Sequence, residues 1–312
     1  MVVVQQSNID SSGSVLQTYL KKRVLENFEP MLRFYEMGKK PVWQDGFKTL
    51  AWTKVDKLTR TSAQTLLTEA VTPSETALTM TTITLNANQY GLYVTLSDIL
   101  LDVAPVPLVR EASWVVGENM ARVVDSVIQS NLELNGSNVI YSGGVANRVG
   151  IGASNVCTAL DLAKANAFLS TKAVPTYDDA YVGVMHPNVI YDLQSATATG
   201  SYIDLNKYTR NVDKVFRGEI GKLFNVRIVK SAYVQTFSST VTVYPTYVMW
   251  KGAYGVANLQ SMKTYITPRS ATDSDPLAQR VKVGCKIAFN SIILQQDALI
   301  RIESASALSY AW

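Results

Sequence analysis

Residues 76–96 read TALTMTTITLNANQYGLYVTL, and residues 105–134 read PVPLVREASWVVGENMARVVDSVIQSNLEL; the junction between these two stretches decides the fold. The first is rich in threonine and alternates. Ile83, Leu85 and Ala87 fall on one side, and Thr82, Thr84 and Asn86 on the other, which is the period of a strand. Strands usually run to about five or six residues. A run of about twenty reaches about 65 Å at the usual rise, well beyond the body of one domain. Such a limb is most easily stabilised by neighbouring molecules, so the sequence points to assembly before chemistry. Past Gly91 the apolar positions shift to Leu92, Val94 and Leu96, and a bulge or bend is expected at that glycine.

The second stretch changes period. Val109, Ala112, Val116, Met120, Val123 and Val127 step by threes and fours, giving one apolar stripe on a long helix. Arg110, Glu111, Glu118, Arg122 and Asp125 mostly lie off that stripe. Pro105 and Pro107 precede the helix, and Asn135-Gly136 supplies its stop.

Outward from this junction, residues 1–14 are polar and serine-rich. Leu16, Leu20, Val24 and Phe28 predict a helix that Pro30 interrupts. Residues 38–75 carry turns, Trp43, Trp52, many threonines and the basic Lys39, Lys40, Lys48, Lys54, Lys57 and Arg60. They read as a hairpin-like excursion returning through 76–96. On the other side, a glycine-rich loop (141–152) leads to a helix over 156–170. A buried strand over 180–186 follows, then a helix opened by Pro187. Strands are predicted over 224–230, 241–249 and 281–303, the last interrupted by a turn at Gln295-Gln296-Asp297. Helices and strands cluster rather than alternate strictly, so the class is α+β.

Composition narrows the function. The chain has 312 residues, 47% hydrophobic and 17% charged, against about 25% charged in an average soluble domain. A surface partly hidden by partners fits that deficit. The net charge of +4 is mild, without the concentrated basic face of a nucleic-acid reader. Cys157 and Cys285 are far apart, which excludes a disulfide framework or zinc ribbon and fits a reducing compartment. MVVVQQSNID lacks the pattern of a secretory signal, and no apolar run approaches about 18 residues, so no membrane span is expected.

Catalytic equipment is sparse. His186 stands alone, between a strand and a helix-opening proline, and reads as a hydrogen-bonded strand-end residue. Cys157 lacks a nearby base. Asp178-Asp179 and Asp273 with Asp275 read as turn carboxylates. No GxSxG elbow, Walker lysine or helix-opening GxGxxG occurs. No catalytic, metal or cofactor-binding residue is assigned.

Three segments, in order, carry a resemblance. YVGVMHPNVIYDLQS (181–195) resembles the strand–HP–helix element of the N4-like family of tailed-phage major capsid proteins. GEIGKLFNVRIVKSA (218–232) resembles that family's Gly-Glu-Ile-Gly turn, and DPLAQRVKVGCKIAFNSIILQQDALIRIES (275–304) its closing strands. The resemblance implies the Hong Kong 97-type capsid fold. Residues 1–40 would be the N-terminal arm, 41–96 the extended loop and 97–154 a peripheral domain with spine helix 105–134. Residues 155–280 would be an axial domain, with 281–312 returning to the peripheral domain. It implies pentamers and hexamers closing an icosahedral shell around double-stranded DNA, in a virion assembled in the host cytoplasm. Expected partners are other copies, a portal, scaffold or decoration proteins where used, and packaged DNA touched non-specifically on the inner face; no cofactor and no membrane is expected. On this reading Trp43, Lys48, Trp52, Lys54, Lys57, Arg60, Ile83 and Leu85 form the loop's assembly interface. Gly91, Pro105 and Gly136 would be joints, and the helical stripe from Val109 to Val127 the spine's core face. Alternatives are a nanocompartment shell enclosing protein cargo, and a small-ligand-binding protein or enzyme.

Overall fold

The computed structural model describes residues 33–41, 49–55, 58, 69, 72, 75, 77–103, 107–176, 180–196, 221–271 and 275–308. Its elements begin with α1 (Arg33–Met37), β1 (Thr49–Val55), β2 (Met80–Asn86) and β3 (Asn88–Ser97), followed by α2 (Asp98–Val103) and α3 (Leu108–Asn135). Then come β4 (Val139–Tyr141), α4 (Ala159–Thr171), β5 (Tyr181–Met185), α5 (Pro187–Ser195), β6 (Lys222–Leu223) and β7 (Val226–Lys230). The last are β8 (Phe237–Ser238), β9 (Thr242–Met249), β10 (Tyr254–Thr267), β11 (Arg280–Ile293) and β12 (Leu299–Ser304). Helix and strand share the chain, as the α+β reading expects.

The spine helix α3 buries Ser113, Val116, Gly117, Met120, Ala121, Val124, Asp125, Ile128, Gln129 and Leu132. Its buried face is turned by about one residue from the predicted stripe. Val116 and Met120 are buried, whereas Val109, Ala112, Val123 and Val127 are only half-buried. Valines occupy a wide arc of this helix, so periodicity alone fixes its face only loosely. The polar groups that displace the stripe are satisfied where they lie. Ser113 Oγ donates to the Val109 carbonyl at 2.8 Å. Gln129 donates to the Tyr233 carbonyl at 3.0 Å and accepts from the Gln235 N–H at 2.7 Å. The helix stops at Gly136, whose N–H reaches the Leu132 carbonyl at 3.0 Å. A Cβ on Gly136 would lie 2.5 Å from that oxygen, so close approach is what requires glycine.

A three-stranded antiparallel sheet, in the order β10-β11-β3, lies against α3. Val281, Val283, Cys285, Ile287 and Phe289 of β11 point inward, and Cys285 Sγ sits 3.9 Å from the Val116 carbonyl. This sheet corrects two expectations. The limb over 76–96 is not one strand, because β2 pairs with β1 and β3 pairs with β11, both within the chain. Nor is there a bulge at Gly91: the β3–β11 register runs unbroken from Arg280↔Ser97 through Lys286↔Gly91 to Phe289↔Asn88. The change of apolar parity is real but falls earlier. Inward positions move from Ile83, Leu85 and Ala87 to Tyr90, Leu92 and Val94 as the chain passes buried Ala87 from one sheet to the other.

The second sheet has seven strands in the order β4-β12-β9-β5-β7-β6, with β8 beside β9. Its β12 pairs with β9 and β4, whereas 281–312 was expected to return as a whole to the peripheral sheet. Conversely β10, expected in the axial unit, pairs with β11. Alternation reveals strands but not their distant partners, and the short turn Gln296–Ala298 carries the chain between sheets. Two helices flanking this sheet are started by their own side chains. Thr158 and Asp161 form a capping box on α4. His186 Nδ1 accepts from the Asn188 N–H at 3.2 Å, ahead of Pro187 at the start of α5.

Candidate assembly surfaces

The β1–β2 hairpin is the most exposed paired element. Its register runs from Thr49↔Asn86 to Val55↔Met80, and most of its residues are exposed. Trp52 faces Ile83 across it. The Trp52 ring also lies on β10: a Cβ on Gly255 would meet its Cη2 at 2.6 Å. The base of the hairpin is therefore seated on its own chain. Leu85, expected at an intermolecular contact, is 4% exposed and belongs to this base. Alternation placed it on an apolar face but could not say whose body covers that face. Ile83 is half-buried and Lys54 exposed. Trp43, Lys48, Lys57, Arg60 and the joint Pro105 lie outside the described residues.

Two polar contacts tie the body together. Asp125, on the buried face of α3, accepts N–H groups from Arg33 at 2.8 Å, Phe34 at 3.3 Å and Tyr35 at 3.2 Å. One carboxylate so holds the first turn of α1, and the Tyr254 hydroxyl donates to the Phe34 carbonyl. Burial pushes the Asp125 carboxyl up to about 6, against the three N–H groups, which favour its charged form. At the C-terminal end of α3, Arg148 grips Glu303 with two bonds of 2.7 Å and Glu133 with one of 3.0 Å. Arg301 adds a 2.7 Å bond to Glu303 and one of 2.9 Å to the Glu133 carbonyl. The Arg148 guanidinium also lies 4.0 Å from the centre of the Phe237 ring. Glu303 and Glu133 hold Arg148 more firmly protonated than an ordinary arginine. Periodicity missed this cluster; its signal was two charges, Arg301 and Glu303, inside the otherwise apolar run LIRIES.

The candidate chemical groups take structural roles. His186 caps α5 and stacks near Tyr244 at 4.9 Å, and burial lowers its pKa. Cys157 and Cys285 are both buried. Burial holds the Cys157 thiol far above its ordinary range and pushes Cys285 up to about 11, so neither supplies a ready thiolate. Asp275 accepts the Gln279 N–H at 3.2 Å, as a turn carboxylate does. Asp178, Asp179 and Asp273 lie outside the described residues. Among the described residues no group of three or more His, Cys, Asp or Glu could hold a metal. No helix there is long and apolar enough to cross a membrane.

No protein-family model matches the chain, and no curated protein matches it. Solved structures do. The capsid of Ralstonia phage GP4 has a TM-score of 0.70 at 13% identity, covering 88% of this chain and 89% of that one. The capsid asymmetric unit of cyanophage Pam1 gives 0.67 at 15% identity over 91% and 93%. The capsid of cyanophage P-SCSP1u gives 0.66 at 18% identity over 88% and 88%. At these identities the likeness defines the fold: this chain has the fold of tailed-phage capsid proteins. The structures do not single out the N4-like group within it.

Proposed function

We propose that this chain is a major capsid protein that self-assembles into the pentamers and hexamers of an icosahedral shell around double-stranded DNA. The observation that supports this most is the coincidence of length and fold: 88% of this chain matches 89% of the Ralstonia phage GP4 capsid chain. Buried thiols and a capping histidine also favour a structural role over a catalytic one.

On this reading α3 with β3, β10 and β11 forms the peripheral unit, and the seven-stranded sheet with α4 and α5 the axial unit. The hairpin and the residues before α1 reach neighbouring subunits, and repetition around a ring multiplies each modest contact. The joints that adapt one chain to several positions fall at Ala87, where the sheets divide, and near Pro105 and Gly136. Portal, scaffold and decoration proteins and packaged DNA are the further partners, and the virion is the site of action. Within that class, the N4-like assignment rests on the three sequence motifs. Sedimentation of the chain expressed alone tests the proposal. Rings or shells sedimenting far ahead of a monomer are expected, and a chain that stays at monomer size contradicts it.

A further inference from the structure

A cleft of about 640 Å³ opens between the segment that follows α1 and the turn that joins β9 to β10, a size within the range of small-ligand sites. Its two walls are far apart in sequence and are clamped together by backbone. Lys39 donates its N–H to the Tyr254 carbonyl at 2.9 Å, and Val256 donates to the Lys39 carbonyl at 3.0 Å. Glycines let the walls take this shape. A Cβ on Gly38 would lie 2.5 Å from Val256 Cγ2. Gly252 turns at φ +112°, where a side chain is strained, and a Cβ there would lie 3.4 Å from the Trp250 ring. The turn therefore folds back onto the indole, and the half-buried ring lines the cleft.

The side chains around that ring specify the ligand. Lys39, Lys40 and Lys251 line the cleft, and all three are exposed. The Lys40 ammonium is held 4.4 Å from the centre of the Tyr35 ring. Among the described residues Glu36 is the one carboxylate that lines the cleft, and no arginine does. Lysine holds a phosphate as a compact point charge, whereas the arginine fork is the better match for a carboxylate. An indole face is a platform on which a nucleobase stacks. Glu36 decides between anionic ligands. It repels an acidic peptide, but it accepts hydrogen bonds from the hydroxyls of a sugar, as acidic residues do in other nucleotide sites.

We propose that this cleft binds a nucleoside phosphate, with the base on Trp250, the phosphates on Lys39, Lys40 and Lys251, and the sugar hydroxyls at Glu36. Its source is a free nucleotide or an unpaired nucleotide of a single strand. The site goes beyond the shell reading: a chain that binds ATP but forms no shells keeps the site and loses the shell. Calorimetric titration of the full-length chain, in magnesium-free buffer, tests it with ATP, pyrophosphate, a short riboadenylate strand and a duplex of the same length. ATP should bind, and pyrophosphate about tenfold more weakly, because it lacks the base. Lys39→Gln combined with Lys251→Gln should weaken ATP about tenfold. Both side chains are exposed, so the circular dichroism of that variant should match the parent's. Trp250→Leu should weaken ATP about tenfold and leave pyrophosphate unchanged; if that variant does not fold, the lysine variant and the pyrophosphate comparison decide. A strand that binds more tightly than ATP makes nucleic acid the source, and one that binds no more tightly makes it the free nucleotide. Binding of neither, an unchanged ATP affinity in the lysine variant, or pyrophosphate bound as tightly as ATP overturns the site. So does tighter binding of the duplex, or of a Glu-Asp-Phe peptide, than of ATP and the strand.

Discussion

Arg148 holds Glu303 through two 2.7 Å bonds, and Glu303 is fully buried. The pair joins the loop after the spine helix to β12, so it fixes the large sheet to the end of α3. Removing one partner strands the other charge, which costs about 3–5 kcal/mol for a buried pair. Glu303→Ala should therefore lower the thermal midpoint by many degrees, because it strands both Arg148 and the buried Arg301, and Arg148→Ala by less, because Arg301 still pairs with Glu303. Thermal unfolding followed by circular dichroism checks this; a Glu303→Ala protein as stable as the parent would show that the cluster does not hold the two parts together.

Asp125 gives the body a pH dependence. Its carboxyl titrates near 6 in the folded chain, above its ordinary value of 3.8, so between those values the folded chain binds a proton more readily than the unfolded one. Its contribution is fully present below about 3.8 and is lost as pH rises through about 6, a span worth about 3 kcal/mol. Asp125→Asn removes that slope. Urea midpoints at pH 4 and pH 7 should differ less in the variant than in the parent; equal differences would contradict the assignment.

The buried face of α3 separates two valines that the sequence treats alike. Val116 is 0% exposed and Val109 half-buried. Val116→Asp should leave the chain insoluble or unfolded, because it buries an unpaired charge. Val109→Asp should fold with a loss of about 1–2 kcal/mol. Equal behaviour of the two variants would place the face where the stripe alone predicts it.

The hairpin should be separable from the body only in part. Leu85 of β2 is buried, so removal of β2 damages the core. Replacing residues 56–79 by a short turn keeps β1 paired with β2. That variant should retain the parent's circular dichroism and unfolding midpoint but form no shells. Closed shells from it would mean the tip is not an assembly element.

What the sequence revealed follows from how far each signal reaches. Helix α5 was legible because Pro187 and the HP dipeptide act within one turn, and α3 because 28 residues sustain one period. The division of the limb at Ala87 was legible only as a change of parity, and Gly91 drew attention because glycine marks bends; here it instead sits opposite Lys286 in an unbroken ladder. The partners of β10 and β12 were not legible, since pairing over long separations depends on the whole core. The meeting of Tyr93, Gly284 and Tyr265 on neighbouring strands escaped for the same reason: they are brought together only by register.

Assembly is the central claim, and direct imaging of the purified full-length chain by electron microscopy tests it most directly. The account predicts five- and six-membered rings and closed shells, each subunit showing the long α3 under its three-stranded sheet and a hairpin tip lying over its neighbour. A uniform population of single chains at every concentration and salt tried would contradict it.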